Sequence, residues 1–450
     1  MTDLTVGKPS SVIMKFSLPL LLSTALQQLY NIANSIIVGQ FTGGNGLAAI
    51  GAAYPITLFY VAIATGGAMG CAVTISQLFG SKDLARVKSA VFTTLIALSA
   101  LGILISLSGI IFSGALMRLL NANEIYFADA KAYLMIYSIG VVPTMVYNGV
   151  NAIFTGLGDS RRPLLFLFLS SALNVVLALI AVRGLNLGVS GAAWATVISQ
   201  TFAAVLSGTV IIRKIRALKT SEPFKYFDAP LLLDMSRIAL PSIFQQSCVA
   251  LAHTIVQGLV NTFDPSVVAG YEIASKFNNF IYMCMNTLGT ALSSFVAQAY
   301  GARQSERIRA GYRVTLKTCL ACAITIIVIT QLFSAQIMGL FVDAAKEPDV
   351  IAVGVSYTRI IFPVYILISV IITTGGYLRG LGRSFVFFLE TLAEFVVRVS
   401  MCFVLTDLLQ SYTGLMWAWY FGSSVGCTLC IMLYFNTKKK LLSPEASLVS

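Results

Sequence analysis

Charge is what this chain has least of. Only 11% of its 450 residues are Asp, Glu, Lys or Arg, against 57% hydrophobic. That balance excludes a soluble globular domain and a charged disordered chain alike. There is one histidine, His253, among eight cysteines. Cys319 with Cys322 and Cys427 with Cys430 have CxxC spacing, but zinc would need two further ligands at each. All eight cysteines fall in apolar runs, where a thiol acts as a small packing group. No cofactor or metal is expected. The ten-residue alternation of a membrane barrel is missing. No nucleophile–base set points to an enzyme, and no pore loop points to a channel.

What the chain has instead is apolar runs of about 20 residues, the length that crosses the hydrocarbon core as a helix. The mean hydropathy is +0.85. Twelve spans are expected, at about 14–38, 47–78, 89–112, 126–155, 162–182 and 188–212, then about 236–260, 268–299, 311–334, 349–377, 384–406 and 411–435. The first run is longer than a signal-peptide core and is expected to remain as a span. The fold class is therefore an all-α polytopic membrane protein.

The net charge of +12 is not spread as in a nucleic-acid-binding protein. Basic residues gather in alternate loops: Lys82, Arg86 and Lys88; Arg161 and Arg162; Arg213, Lys214, Arg216, Lys219 and Lys225; Arg303, Arg307 and Arg309; Arg379 and Arg383; Lys438, Lys439 and Lys440. The intervening loops hold little beyond Arg118, Lys131, Arg183 and Lys346. By the positive-inside rule both termini are cytoplasmic, in the cell's inner membrane.

The chain is also written twice. Ser76–Val87 is answered by Ala297–Ile308, Ser17–Pro19 by Ala239–Pro241, Thr155–Ser160 by Arg379–Ser384, and Gly191–Trp194 by Gly414–Trp417. A repeat of half the chain length is a duplicated module rather than a solenoid. Two six-helix lobes are expected, 1–212 and 236–450, joined by a cytoplasmic linker at 213–235. Because each half has an even number of spans, a pseudo-two-fold axis along the membrane normal should relate them.

Four segments resemble the multidrug and toxic compound extrusion (MATE) family. They are Leu18-Pro19 through Tyr30-Asn31, Val296–Gly301, Gly156–Ser160 with Asn174 and Gly188–Gln200, and Glu394 with Arg398. The resemblance covers about residues 10–435. It implies a monomeric exporter of amphipathic, often cationic small organic compounds, driven by a proton or sodium gradient through alternating access. A flippase for lipid-linked precursors, from the same superfamily, is the second reading.

Charges inside spans are costly and are functional candidates by default. Glu390, Glu394 and Arg398 are spaced by four and share one helix face. Glu394 lies about 15 Å in from Ser384, near the bilayer midplane. A carboxylate placed between a like and an opposite charge is suited to exchanging a cation. Glu272 and Lys276 form a second i,i+4 set, about 7 and 13 Å deep, and Arg359 stands alone. His253 is weighed as a packing residue. Family members often carry aspartate at the positions of Asn34 and Ala178, so a first-lobe proton relay is not carried over. Asn34, Asn174 and Tyr30, with Arg359, remain candidates for substrate contact, and coupling is expected at Glu394, Arg398, Glu390, Glu272 and Lys276.

Overall fold

A computed structural model describes residues 2–218, 220, 222–342 and 347–442. Lys219 and Lys346 of the charge pattern lie outside the described residues, as does the side chain of Lys440. The described residues form helices and turns, with no strand among them.

Thirteen α-helices form among the described residues. The first, α1 (Pro9–Gly80), runs for 72 residues but breaks at Gly43, whose φ of 68° is open to glycine and costly to a side chain. The break turns α1 into two crossings. Next come α2 (Leu84–Leu119), α3 (Glu124–Ile139) and α4 (Val141–Gly156). The α3 and α4 axes differ by 44° and together make one span, with Pro143 in the first turn of α4, where its missing N–H does least harm. α5 (Arg161–Ala178) ends in a π turn, Leu179–Gly184, and α6 follows at Gly188–Arg216. The second half holds α7 (Ala229–Val260), α8 (Pro265–Gly301) and α9 (Ser305–Gly339). α10 (Pro348–Ile361) passes through a 3-10 turn containing Pro363 into α11 (Tyr365–Gly380). α12 (Ser384–Leu409) and α13 (Thr413–Leu442) complete the chain.

Among the described residues nine helical stretches are long and apolar enough to cross a membrane, and the α3–α4 pair adds a tenth. The second arm of α1 and α12 fill the places of the two remaining expected spans. The last is as apolar as its neighbours, but Glu390, Glu394 and Arg398 give it more charge than an ordinary span carries.

The duplication is visible in the turns. Asp83 N–H bonds to Leu78 C=O after α1, and Gln304 N–H bonds to Ala299 C=O after α8; Lys82 and Arg303 take left-handed φ values of 63° and 57°. Likewise Asp159 bonds to Phe154 and Arg383 to Leu378, around Gly158 (φ 74°) and Gly382 (φ 77°). These are the bonds that satisfy orphan carbonyls at a helix C-terminus.

The chain divides into two compact units. One takes Lys15–Ser247 and the residues through Leu4; the other takes Thr5–Met14 and the chain from Cys248 onward. The division falls within two helices: α7 passes from the first unit to the second at Ser247, and the first turns of α1 group with the second unit.

In the first unit the segment between α6 and α7 is held along α2. Lys225 N–H donates to Ser89 Oγ at 2.9 Å and Asp228 N–H to Thr93 Oγ1 at 3.0 Å. Phe224 stacks on Phe92 at 5.7 Å, and the Lys88 ammonium lies over the Phe224 ring, 5.2 Å from its centre. The linker is thus an anchored strap. In the second unit α8 and α11 approach at Gly289 and Gly376, where a Cβ on Gly376 would collide with the Gly289 carbonyl. Small residues at such crossings let membrane helices pack backbone to backbone.

Candidate functional site

Two polar clusters lie within spans, one in each unit. The first-unit cluster forms where α5 packs on α6. Asn174 is 1% exposed; its Nδ2 donates to Ser199 Oγ at 3.0 Å and to Thr196 Oγ1 at 3.4 Å. Both hydroxyls also donate back along α6, Thr196 to Ala192 C=O at 3.1 Å and Ser199 to Ala195 C=O at 2.8 Å. Asn174 Oδ1 is buried and has no hydrogen-bond partner. The Tyr30 hydroxyl is within hydrogen-bonding reach of Thr196 and of Asn34, one turn along α1. Tyr133 and Tyr137 of α3, with rings 5.9 Å apart, stand within electrostatic reach of Tyr30.

The structure therefore brings Asn174 of α5 together with Tyr30 and Asn34, which are one turn apart on α1. Sequence reasoning missed Thr196, Ser199, Tyr133 and Tyr137. Each pair is spaced for one helix face, at i,i+3 and i,i+4, but serine, threonine and tyrosine on apolar helices are too common to stand out. Ala178, next along α5, is 1% exposed and adds no polar group. The named members of the cluster offer neutral oxygens and amides and no carboxylate.

The second-unit cluster is built on α12. Glu394 Oε1 and Arg398 Nη1 are 3.6 Å apart, with side chains 15% and 12% exposed. That separation is an ion pair outside the 2.7–2.9 Å range of a charge-assisted hydrogen bond. The Arg398 guanidinium lies over the Trp419 ring of α13 at 4.7 Å, a geometry that holds a cation without neutralising it. One turn before Glu394, Glu390 is 2% exposed. Its Oε2 accepts from Thr391 Oγ1 at 3.3 Å, its Oε1 has no hydrogen bond, and the Cys430 thiol neighbours the carboxyl.

Sequence explains how α13 comes so close. Gly422 and Gly426 line its inner face at GxxxG spacing. A Cβ on Gly422 would sit 2.7 Å from Arg398 Cβ, and one on Gly426 2.7 Å from Glu390 Oε1. Further residues surround the acids. Tyr282 of α8 is within electrostatic reach of Glu394, Arg398, Arg379 and Glu390, and His253 of α7 is within reach of Arg398. His253, read from sequence as a packing residue, is exposed on α7.

The remaining candidates are placed differently. Glu272 is half-buried on α8, Lys276 is exposed, and no ion pair joins them among the described residues. Arg359 is exposed and is held to α9: its Nε donates to Ser334 Oγ at 3.3 Å, and its carbonyl accepts from Gln331 Nε2 at 2.9 Å. The partner is not legible locally because it lies on a neighbouring helix, beside the kink at Phe333.

One family model, MatE, matches the chain twice, over residues 19–180 and again over 241–404. The chain belongs to the MATE family. The two matches begin at Pro19 and Pro241, the pair that opens the sequence echo. MATE proteins are membrane transporters, so the chain is a multi-pass transporter and not an enzyme. It is similar to two Bacillus subtilis (strain 168) proteins. To the probable multidrug resistance protein YpnP it is 26% identical over 97% of this chain and 94% of that one. To the probable multidrug resistance protein YoeA it is 29% identical over 72% of each. Among solved structures, a crystal structure of MATE in complex with MaL6 superposes with a TM-score of 0.91 at 23% identity, covering 98% of both chains. That likeness carries the twelve-helix, two-lobe fold of the MATE transporters.

Proposed function

We propose that this MATE transporter exports amphipathic, often cationic organic compounds by alternating access, as a monomer in the cell's inner membrane with both termini cytoplasmic. A proton or sodium gradient drives it, and coupling is centred on the second-lobe carboxylates. The observation that carries this reading is the Glu394–Arg398 pair: an intramembrane carboxylate held to its counter-ion at 3.6 Å without a hydrogen bond, with a buried second acid, Glu390, one turn away. Such a pair opens at little cost when a cation competes for Glu394, and Trp419 keeps the released Arg398 in place. The export of drugs is supported by relatives named as probable multidrug resistance proteins.

The first-lobe cluster supports a division of labour. Asn34 and Asn174 can donate and accept hydrogen bonds but cannot take up a proton near neutral pH. With Tyr30, they suit substrate contact, and the unpartnered Asn174 Oδ1 is an acceptor held ready for a donor. Glu272 and Lys276 remain secondary candidates for coupling, and Arg359 for substrate contact at the outer end.

The test is efflux of a cationic dye from proteoliposomes under separately imposed proton and sodium gradients. Wild type should respond to one gradient, and Glu394→Gln should lose that response. Full efflux by Glu394→Gln under both gradients would overturn the assignment of Glu394.

A further inference from the structure

Away from both clusters, the first unit joins an apolar groove to an unused charge. α1 and α5 border a groove of about 500 Å3 lined by Leu22, Leu26 and Leu29 on one side and Leu165 and Phe168 on the other, with Arg161 at one end. Leu22, Leu29, Leu165 and Phe168 are all more than half exposed. In a membrane protein such residues meet acyl chains at no cost. By their span numbers the two helices start at the same membrane face and run parallel. Arg161 therefore sits at that face, and Phe168 lies about 10 Å deeper.

The surrounding charges are spoken for. Asp159 pairs with Lys214 at 3.2 Å and with Arg162 at 3.6 Å. Arg161, by contrast, makes no ion pair or hydrogen bond among the described residues and is exposed. A guanidinium at interface level above a leucine-lined channel is complementary to a ligand with an anionic head and an extended apolar tail. A guanidinium matches a phosphate in particular, because its parallel N–H groups bond two phosphate oxygens together.

We propose that this groove binds one anionic glycerophospholipid of the adjoining leaflet, its phosphate on Arg161 and one acyl chain laid between α1 and α5. The identity of that leaflet, cytoplasmic, rests on the orientation proposed above; the binding itself does not. A soluble anion would have no use for the leucines, and a zwitterionic lipid would gain little from Arg161. The chain end reaches Leu29, next to Tyr30 of the first-unit cluster, so an ordered lipid here bears directly on the helix that carries Tyr30 and Asn34.

Native mass spectrometry of the purified full-length protein tests the site, with phosphatidylglycerol and phosphatidylcholine of matched chains titrated separately. Wild type should retain phosphatidylglycerol in preference. Arg161→Ala should weaken that binding about fivefold, the worth of one basic residue at an anionic surface, and leave phosphatidylcholine unchanged. Leu165→Trp, which fills the groove, should weaken both, and if it fails to fold, Arg161→Glu against Arg161→Lys carries the test, the first losing binding and the second keeping part of it. Equal binding of the two lipids by wild type, or wild-type phosphatidylglycerol affinity in Arg161→Ala, overturns the proposal. Dibutyl phosphate binding as tightly as the lipid overturns it too. None of these readings depends on transport, so failure of the exporter reading would remain separate.

Discussion

Arg398 and Trp419 face each other across the α12–α13 contact, the guanidinium 4.7 Å from the ring centre. The stack holds the arginine while Glu394 draws it at 3.6 Å. Removing the ring should leave Arg398 free to close fully on Glu394 as a hydrogen-bonded pair. Trp419→Leu is therefore expected to slow ion-driven efflux several-fold while substrate binding stays near wild type. A desolvated cation–π contact contributes about 2 kcal/mol, and Trp419→Phe should retain part of it. Initial efflux rates at saturating and limiting dye separate the two effects.

Crowding at the same contact gives a stability prediction. Gly426→Ala places a methyl 2.7 Å from Glu390 Oε1, and Gly422→Ala places one 2.7 Å from Arg398 Cβ. Helices that must part to admit a methyl typically lose about 1–3 kcal/mol. Both variants should melt earlier than wild type in detergent, followed by fluorescence-detected gel filtration. The Gly422 variant should be the worse, since its methyl meets Arg398 Cβ and the Glu394 carbonyl, which move only with the backbone, whereas Glu390 Oε1 is the tip of a flexible side chain. Glu390→Gln in the Gly426→Ala background should not restore stability, because the crowding is steric and the amide is as large as the acid.

At the start of the chain, Arg307 of α9 donates through Nη1 to Gly7 C=O at 2.7 Å and through Nη2 to Val6 C=O at 3.1 Å. Leu4 beside them is fully buried. These bonds tie Thr5–Met14 into the second unit, although the rest of α1 belongs to the first. Arg307→Ala should release the segment, with faster hydrogen exchange at the amides of residues 5–12 and little change in α8. Arg307→Lys should protect only partly, since one ammonium cannot match the guanidinium's two parallel donors.

The spans and the repeat were legible because each rests on many residues acting alike. Apolar length sets the crossings, and Lys82 with Arg303, or Gly158 with Gly382, mark turns the backbone must make twice. The i,i+4 spacing of Glu390, Glu394 and Arg398 was equally plain, since one helix carries all three. What sequence could not give was contact between helices. Trp419 beneath Arg398, Ser334 on Arg359 and Thr196 between Tyr30 and Asn174 are each set by packing of distant segments. The Glu272 and Lys276 spacing shows the converse, where a pattern that permits an ion pair does not produce one.

The first-unit cluster offers the most direct test of where coupling resides. Asn34 stands within reach of the Tyr30 hydroxyl, which also meets Thr196, and Thr196 is bonded to Asn174. Asn34→Asp changes one atom type and nearly no volume, but it puts an ionisable group among neutral donors. The Tyr30 hydroxyl is within reach to stabilise that carboxylate. If coupling is confined to the second lobe, Asn34→Asp alone should leave efflux dependent on Glu394. Combined with Glu394→Gln, it should restore a gradient response only to the extent that a first-lobe acid can serve the same cycle. Dye efflux by the double variant under separate proton and sodium gradients decides the matter. Recovery to a substantial fraction of wild type means the scaffold accepts a coupling acid in either lobe, and continued silence ties coupling to the geometry that Arg398 and Trp419 provide.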